Sequence, residues 1–362
     1  MLTKSSMPMS IQAGVSKEAS GQFTSGCDLK TVPDSDNSAG DLTLAMPSKL
    51  FMPRDQRSGF TPPLIGFDDK IINLYARGMS TSDIQHHVRE LYGLEISADM
   101  ISAITDSVLD EALAWQARPL EPSYAIVFFD ALPVSIGDEG AMKNKAVYMA
   151  IGLRPSGHKD VLGLWIGQAT GARFWLRMMN EIRSRGTRDI LIAVIDGLQG
   201  FAETITAVFP KTVVQTCIVH LIRQSMQFAC WKQHKPIAGA LKSVYRADTA
   251  KAAAAALDDF DRSPWGRKYP VIAQSWRRNW QAVVHFFALP SEVRKIIYTT
   301  HAIDVLNATV RKAVRNREPF ADDQAAAKSV WLALRSITTG WRNPPLAWQG
   351  AKAQLAIEFG NR

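Results

Sequence analysis

YAIVFFDALPVSI, residues 124–136, is the stretch on which the reading of the fold turns. Its β-branched and aromatic residues suit a pleated strand, and the apolar run ends on the carboxylate of Asp130 before Ala-Leu-Pro. Two further strands follow, KAVYMAIGLRP at 145–155 and VLGLWIGQ at 161–168, across the loops GDEGAMKN and SGHKD, so the three form a meander. The period then changes. ARFWLRMMNEIRSRG at 172–186 has helical spacing, DILIAVIDG at 189–197 is again a strand, FAETITAVF at 201–209 a short helix, and TVVQTCIV at 212–219 a strand leading into another helix. A meander feeding alternating strands and helices predicts a mixed sheet with helices on its faces.

On the amino-terminal side the pattern is helical. FDDKIINLYARG sets Ile71, Ile72, Leu74 and Tyr75 on one face before a Gly stop, and MSTSDIQHHVRELYG offers Ser80 or Ser82 as a cap for a face of Ile84, Val88 and Leu91. ISADMISAITDSVLDEALAWQ is capped at Ser97 with Met100, Ile101, Ile104, Val108 and Leu109 apolar. Residues 67–120 therefore read as a helix-turn-helix-like unit that binds DNA, or as a plain helical hairpin; the pattern leaves both open. Residues 1–66, rich in Ser, Gly, Pro and Asp without sustained period, are expected to be mostly disordered. Beyond the sheet, 225–295 is dominated by helices such as AKAAAAALDDFD and SWRRNWQAVVHFF and reads as a helical insertion, with 121–224 and 296–362 as the two parts of the core around it.

Composition narrows the function. No apolar run approaches the roughly 18 residues of a membrane helix, and the first twenty residues lack the core of a secretory signal, so a cytoplasmic, nucleoid-associated location is expected. Cys27, Cys217 and Cys230 are too few for a disulfide framework. The formal charge of +8 favours a polyanionic partner, and the excess is concentrated: residues 205–320 hold 18 Lys and Arg against 7 Asp and Glu.

Asp130 and Asp196 each close an apolar strand run. Carboxylates at neighbouring strand ends can converge on divalent cations, which favour hard oxygen ligands; the alternative is that each aspartate caps the loop after its strand. Several stretches resemble the Mutator-type transposases of bacterial insertion sequences: FDDKIINLYARGMST, IVFFDAL, KNKAVYMAIG, VLGLWI, DILIAVIDGLQGF, FPKTVVQTCIVHLIR, KYPVIAQSWRRNW and IYTTHAIDVLN. The likeness runs from about residue 52 to 360. It implies a ribonuclease-H-like domain with an Asp-Asp-Glu triad, a helical insertion before the last acid, and cutting and joining of element ends that depends on Mg²⁺ or Mn²⁺. The first two acids fall on Asp130 and Asp196. The third falls on Asp304, in His301-Ala302-Ile303-Asp304, where the resembling motif reads Asn-Ala-Ile-Glu. Keeping charge but withdrawing the carboxylate by one methylene is expected to weaken metal binding there. The resemblance also implies a longer amino-terminal DNA-binding region than residues 1–50 suggest, so end recognition is expected to be altered.

Cys217 and His220 are expected to support the acidic centre, as in the resembling family; the alternatives are a plain buried Cys with a hydrogen-bonded His, and a zinc site completed by Cys230 and His234. Arg223, Arg277, Arg278, Arg311, Lys312, Arg315 and Arg317 are candidate phosphate ligands, and Trp276 and Trp280 either stack on an unpaired base or pack a core. The resulting expectation is a transposase acting on the terminal inverted repeats and target DNA as a homo-oligomer. The alternatives are a DNA-binding remnant that represses its element and a stand-alone metal-dependent nuclease.

Overall fold

In the computed structural model the described residues are 66–362, apart from 139, 168–170, 197–199, 300, 318 and 361. The expectation for residues 1–66 therefore lies almost wholly outside them. Four helices come first: α1 (Phe67–Ala76), α2 (Thr81–Tyr92), α3 (Ala98–Asp106) and α4 (Leu109–Ala117). The sheet follows, with β1 (Ser123–Asp138), β2 (Ala141–Leu153), β3 (Lys159–Gly167), α5 (Ala172–Ser184), β4 (Asp189–Ile195), α6 (Phe201–Val208) and β5 (Val213–Thr216). A helical run occupies the next eighty residues: α7 (Ile218–Gln227), α8 (Trp231–Tyr245), α9 (Ala250–Arg262), α10 (Pro264–Lys268), α11 (Pro270–Arg278), α12 (Trp280–Ala288) and α13 (Ser291–Thr299). Helices α14 (His301–Arg315), α15 (Asp323–Thr338) and α16 (Trp348–Phe359) close the chain. Among the described residues, no helix is long and apolar enough to cross a membrane.

The five strands lie in the order β3-β2-β1-β4-β5, antiparallel through the meander and parallel from β1 to β4 and β5. This is the mixed, ribonuclease-H-like sheet expected. The first hairpin is longer than the sequence pattern suggests: GDEGAMKN is mostly strand, and the register Asp138↔Ala141 leaves only a tight turn that uses Gly140 at φ 80°. Asp130 thus sits in the middle of β1 rather than at its end. Pairing with β4 stops at Phe128↔Val194, however, and beyond it that side of β1 is open. Ser135 O and Gly137 N both bond Phe320 on the open side, so Pro133, at the same parity, faces its missing N–H away from β2 and costs the ladder nothing.

One face of the sheet is covered by α5 and α6, where Trp175 is fully buried against Phe201, Tyr148 and Phe174. The other face carries two groups of helices. Ile126, Phe128, Ile192 and Val194 pack with α7–α9, α11–α13 and α16; Leu132, Val134 and Ile136 pack with α14 and α15.

The amino-terminal helices obey their caps. Ser80 and Asp83 form a capping box, with Asp83 N donating to Ser80 Oγ at 3.1 Å and Ser80 N to Asp83 Oδ2 at 3.0 Å, and Ser97 accepts from Met100 N. The apolar faces are narrower than expected. Ile84, Val88 and Ile101 are buried, but Leu91 is 62% and Met100 50% exposed, because only one turn of each helix meets α1 and α15. The third expected helix breaks at Ser107, whose hydroxyl bonds the Ile104 carbonyl at 2.6 Å while Thr105 bonds that of Ile101.

Trp331 and Leu332 of α15 complete the core of α1–α4. Arg317, expected at the surface as a phosphate ligand, is instead the tether between these layers. Its guanidinium stacks 3.5 Å from the Tyr75 ring centre and donates to Ser329 Oγ at 2.5 Å and to the Met79 carbonyl at 3.4 Å, and burial pushes it down to about 10. Arg317→Ala is expected to lower the unfolding free energy by about 2–4 kcal/mol in denaturant titration, with little rescue by Arg317→Lys, which lacks the planar fork. A loss below about 0.5 kcal/mol would show the guanidinium to be no tether.

Candidate active site

The two strand acids are brought together by register. From the pair Phe128↔Val194, two further residues along each parallel strand place Asp130 opposite Asp196, on the face that already carries Ile126, Phe128, Ile192 and Val194. Asp196 is the first residue after β4. Asp130 falls exactly between the residues packed by the two groups of helices, so it lies at their seam and is 4% exposed.

The third member comes from α7. The sequence reading ran the strand through Cys217 to residue 219, but β5 ends at Thr216 and Cys217 is the first turn's cap, its N–H donating to the Ile195 carbonyl at 2.7 Å. That bond fixes the start of α7 beside Asp196. His220, in the first helical turn, reaches back so that Nε2 lies 3.1 Å from Asp130 Oδ1 and 3.3 Å from Asp196 Oδ2. Asp130 Oδ1 also accepts the Ala131 N–H at 2.9 Å. One ligand atom from each of Asp130, Asp196 and His220 lies within 4.8 Å of the others, the only such group of potential metal ligands among the described residues.

Burial raises the Asp196 carboxyl to about 6, and the charge of Asp130 adds to this, while His220, Arg223 and Arg311 oppose it. For His220 burial favours the neutral ring, but the hydrogen bond to Asp130 and the neighbouring Cys217 outweigh it and push the imidazole up to about 10. At neutral pH the ring is thus a cation between two carboxylates. Asp196 Oδ1 is buried without a hydrogen-bond partner. An orphaned carboxylate oxygen on a residue whose ligand atoms gather within 4.8 Å of a second carboxylate and an imidazole is what a divalent cation would satisfy, so the donor set fits a metal.

The other sequence candidates divide. Arg223 and Arg311 are close enough for their charges to act on Asp196. Arg311 and Arg315 line a cleft of about 250 Å³ with Leu132, Pro133, Val134, Ser135, Asn144 and Val314, directly beyond Asp130 along β1, and Lys312 is exposed nearby. Asn144 is a polar lining residue the sequence reading missed; the β1–β2 register, Ser135↔Asn144, is what carries it there. Asp304 lies on α14, seven residues before Arg311 and so on the same helical face; its side chain is outside those described. Arg277 is engaged by Asp258 at 2.8 Å and Asp261 at 2.7 Å, which removes it from the simple phosphate-ligand reading, while Arg278 beside it is exposed. Trp276 is fully buried, its Nε1 donating to Ser225 Oγ at 2.9 Å, and is core. The expected helix SWRRNWQAVVHFF is broken at Asn279. Cys217 caps the start of α7 and Cys230 the start of α8, and His234 is bonded to the Ala229 carbonyl, so the four-residue zinc alternative is not assembled.

Residues 43–344 match the family model described as transposase, Mutator family. The chain is 53% identical over 329 residues to a transposase for insertion sequence element ISRM3 from Rhizobium meliloti, covering 89% of this chain and 82% of the relative. It is likewise 53% identical to a probable transposase for an ISRM3-like element from Sinorhizobium fredii, with the same coverage. A probable transposase for an insertion sequence element from Corynebacterium diphtheriae is 43% identical over 315 residues, 85% of this chain and 91% of that one.

The raised groups have a common sign. His220, about 10 when folded against 6.5 unfolded, contributes stability that is full below about 6.5 and lost as pH rises through about 10. Asp196, about 6 against 3.8, contributes stability present below 3.8 and lost through about 6. In chelator, the melting temperature of the native protein relative to His220→Gln should therefore fall between pH 6.5 and 10. A constant difference across that range would show that the ring is not charged in the folded state.

Proposed function

The chain belongs to the Mutator family of transposases, and on that premise we propose that it cuts and joins DNA at the ends of an insertion element, with Asp130, Asp196 and Asp304 as the acids that hold Mg²⁺ or Mn²⁺. The observation that carries the reading is the pairing of a buried carboxylate, Asp130, with a half-buried one, Asp196, on adjacent parallel strands, where one oxygen of Asp196 has no hydrogen-bond partner. When bound, a pair of divalent ions supplies Lewis-acid stabilisation of an in-line phosphoryl displacement.

The protein's own residues do the rest. Asp130 and Asp196 face the reacting phosphate from the sheet, and α14 contributes Asp304 from the carboxyl-terminal part of the core. His220 balances the carboxylate charges, and its proton would pass to solvent if a divalent cation took over that balance. Cys217 positions it. Arg223 and Arg311 flank the centre and orient the phosphate that reacts, while Arg315 and Lys312 extend the basic surface along the cleft for the phosphates beyond. Arg278 adds a more distant contact from the insertion. The substrates are double-stranded DNA bearing the terminal inverted repeats and the target duplex, and two ends joined in one event call for a homo-oligomer on DNA.

Asp130→Asn and Asp196→Asn are expected to abolish Mg²⁺-dependent cleavage of element-end DNA, by about 10³-fold or more, with metal-free DNA binding retained. Asp304→Glu should raise cleavage, since it restores the longer reach; a fall would show the shorter acid to be the fitted one. Cleavage absent from the native chain and from Asp304→Glu alike, with binding intact, would favour the repressor reading, raised by the short third acid. In a separate titration, Arg311→Ala and Lys312→Ala should weaken binding to any duplex and each reduce the salt slope by about 1; unchanged slopes would remove the cleft from the DNA path.

A further inference from the structure

Most large aromatic side chains of this fold are packed away, but the corner between α7 and α8 is an exception. Trp231 is 70% and Phe228 43% exposed, and all the other tryptophans are buried or half-buried. Leaving an indole in water forgoes roughly 1.5–3 kcal/mol of burial, so a pair of exposed aromatics three residues apart calls for an occupant.

The corner is held firmly. His234 Nε2 lies 3.0 Å from the Ala229 carbonyl across the turn, Gln233 N donates to the Cys230 carbonyl at 2.8 Å, and the Tyr269 hydroxyl of the α10–α11 junction donates to Gln233 Oε1. Its charge is of one sign. Lys232 and Lys235 are exposed beside Trp231, neither is paired with a carboxylate among the described residues, and the first turn of α8 has no acid. An aromatic face flanked by unpaired ammonium groups complements a nucleobase with phosphates on either side.

Helix α7 ties this platform to the acidic centre. His220 stands at one end and Phe228 caps the other. Eight residues of helix at about 1.5 Å each separate them by about 12 Å, which is three to four base steps of about 3.4 Å. We propose that the α7–α8 corner, whose near edge at Phe228 lies three to four base steps from His220, is a stacking platform for one unpaired base of the DNA held at the acidic centre, with Trp231 as the face and Lys232 and Lys235 on the adjoining backbone. The inference rests on the DNA-processing reading above. It also moves the stacking role from Trp276, which is core, to a residue that the sequence pattern did not single out.

The test uses the full chain carrying Asp130→Asn, without metal. Two probes are compared: a fully paired duplex, and the same duplex with a short single-stranded overhang bearing 2-aminopurine at successive positions. Quenching is expected at one position of the overhang. Trp231→Ala should relieve it and weaken binding of the overhang substrate about five- to hundredfold, Trp231→Phe should retain most of the affinity, and the paired duplex and the melting temperature should be unaffected. Equal binding of the overhang probe by Trp231→Ala and native side chains, with salt-dependent binding of the paired duplex intact, overturns the platform alone. Failure to bind either probe overturns the functional reading and the platform with it. A change of oligomeric mass on Trp231→Ala, with no change in quenching, would assign the corner to a contact between subunits and also overturn the proposal.

Discussion

Parallel pairing of β1 with β4 controls the chemistry of this protein. Because the ladder ends at Phe128↔Val194, the next position of like parity on each strand is free of a backbone partner on that side, and in both strands it is an aspartate. Slipping the register by one residue would turn one carboxylate to the opposite face, against α5 and α6. In the observed register, two acids share one buried spot, an arrangement that is costly unless positive charge is brought to it. The fold answers with the first turn of α7, anchored through Cys217 N to the Ile195 carbonyl, so that the amino-terminal end of a helix and the His220 ring both arrive at the carboxylates.

The surroundings hold that register rigid. Strand β3 is the sheet's edge beside α4 and α5, and its outer backbone groups are taken up by side chains. Gln116 accepts from Leu164 N at 3.1 Å, while Arg118 and Arg185 donate to the Val161 and Leu162 carbonyls, each at 2.6 Å. These groups are thereby denied to a further strand. The same network runs inward through Asp160, which accepts from Arg118, Arg154 and the buried Tyr124 hydroxyl; burial and Asp160 push that phenol well above its ordinary range. Since Gln116 and Arg118 lie at the end of α4, the amino-terminal helices are joined to the sheet both here and at Arg317. They are built into the core rather than appended to it.

Much of the fold was legible in the chain because it rests on local periodicity. The meander, the alternating strands and helices, the helical run after α7 and the caps at Ser80 and Ser97 each follow from patterns within about ten residues. Errors arose where local signals compete with partners far away. GDEGAMKN reads as a loop by composition, yet it extends both strands of the hairpin, since Phe320 pairs with the open side of β1 and α15 packs beneath it. Ser107 and Asn279 interrupt helices whose apolar spacing continues past them, because side chains there bond backbone carbonyls.

For the site, the division is sharper. The two aspartates and their apolar lead-ins are properties of the sequence, and these marked Asp130 and Asp196 as a candidate pair, although the strand end read at Asp130 is in fact the middle of β1. Which cation balances them, and which basic and aromatic residues remain available for a partner, was decided by tertiary structure. Trp276 is buried and Arg317 half-buried by elements tens of residues away, Arg277 is engaged by carboxylates of α9, and Trp231 is left in water at a corner. Exposure is a property of the packed molecule: a side chain's own chemistry sets what it can bind, but only the elements that close over it determine whether it is free to do so.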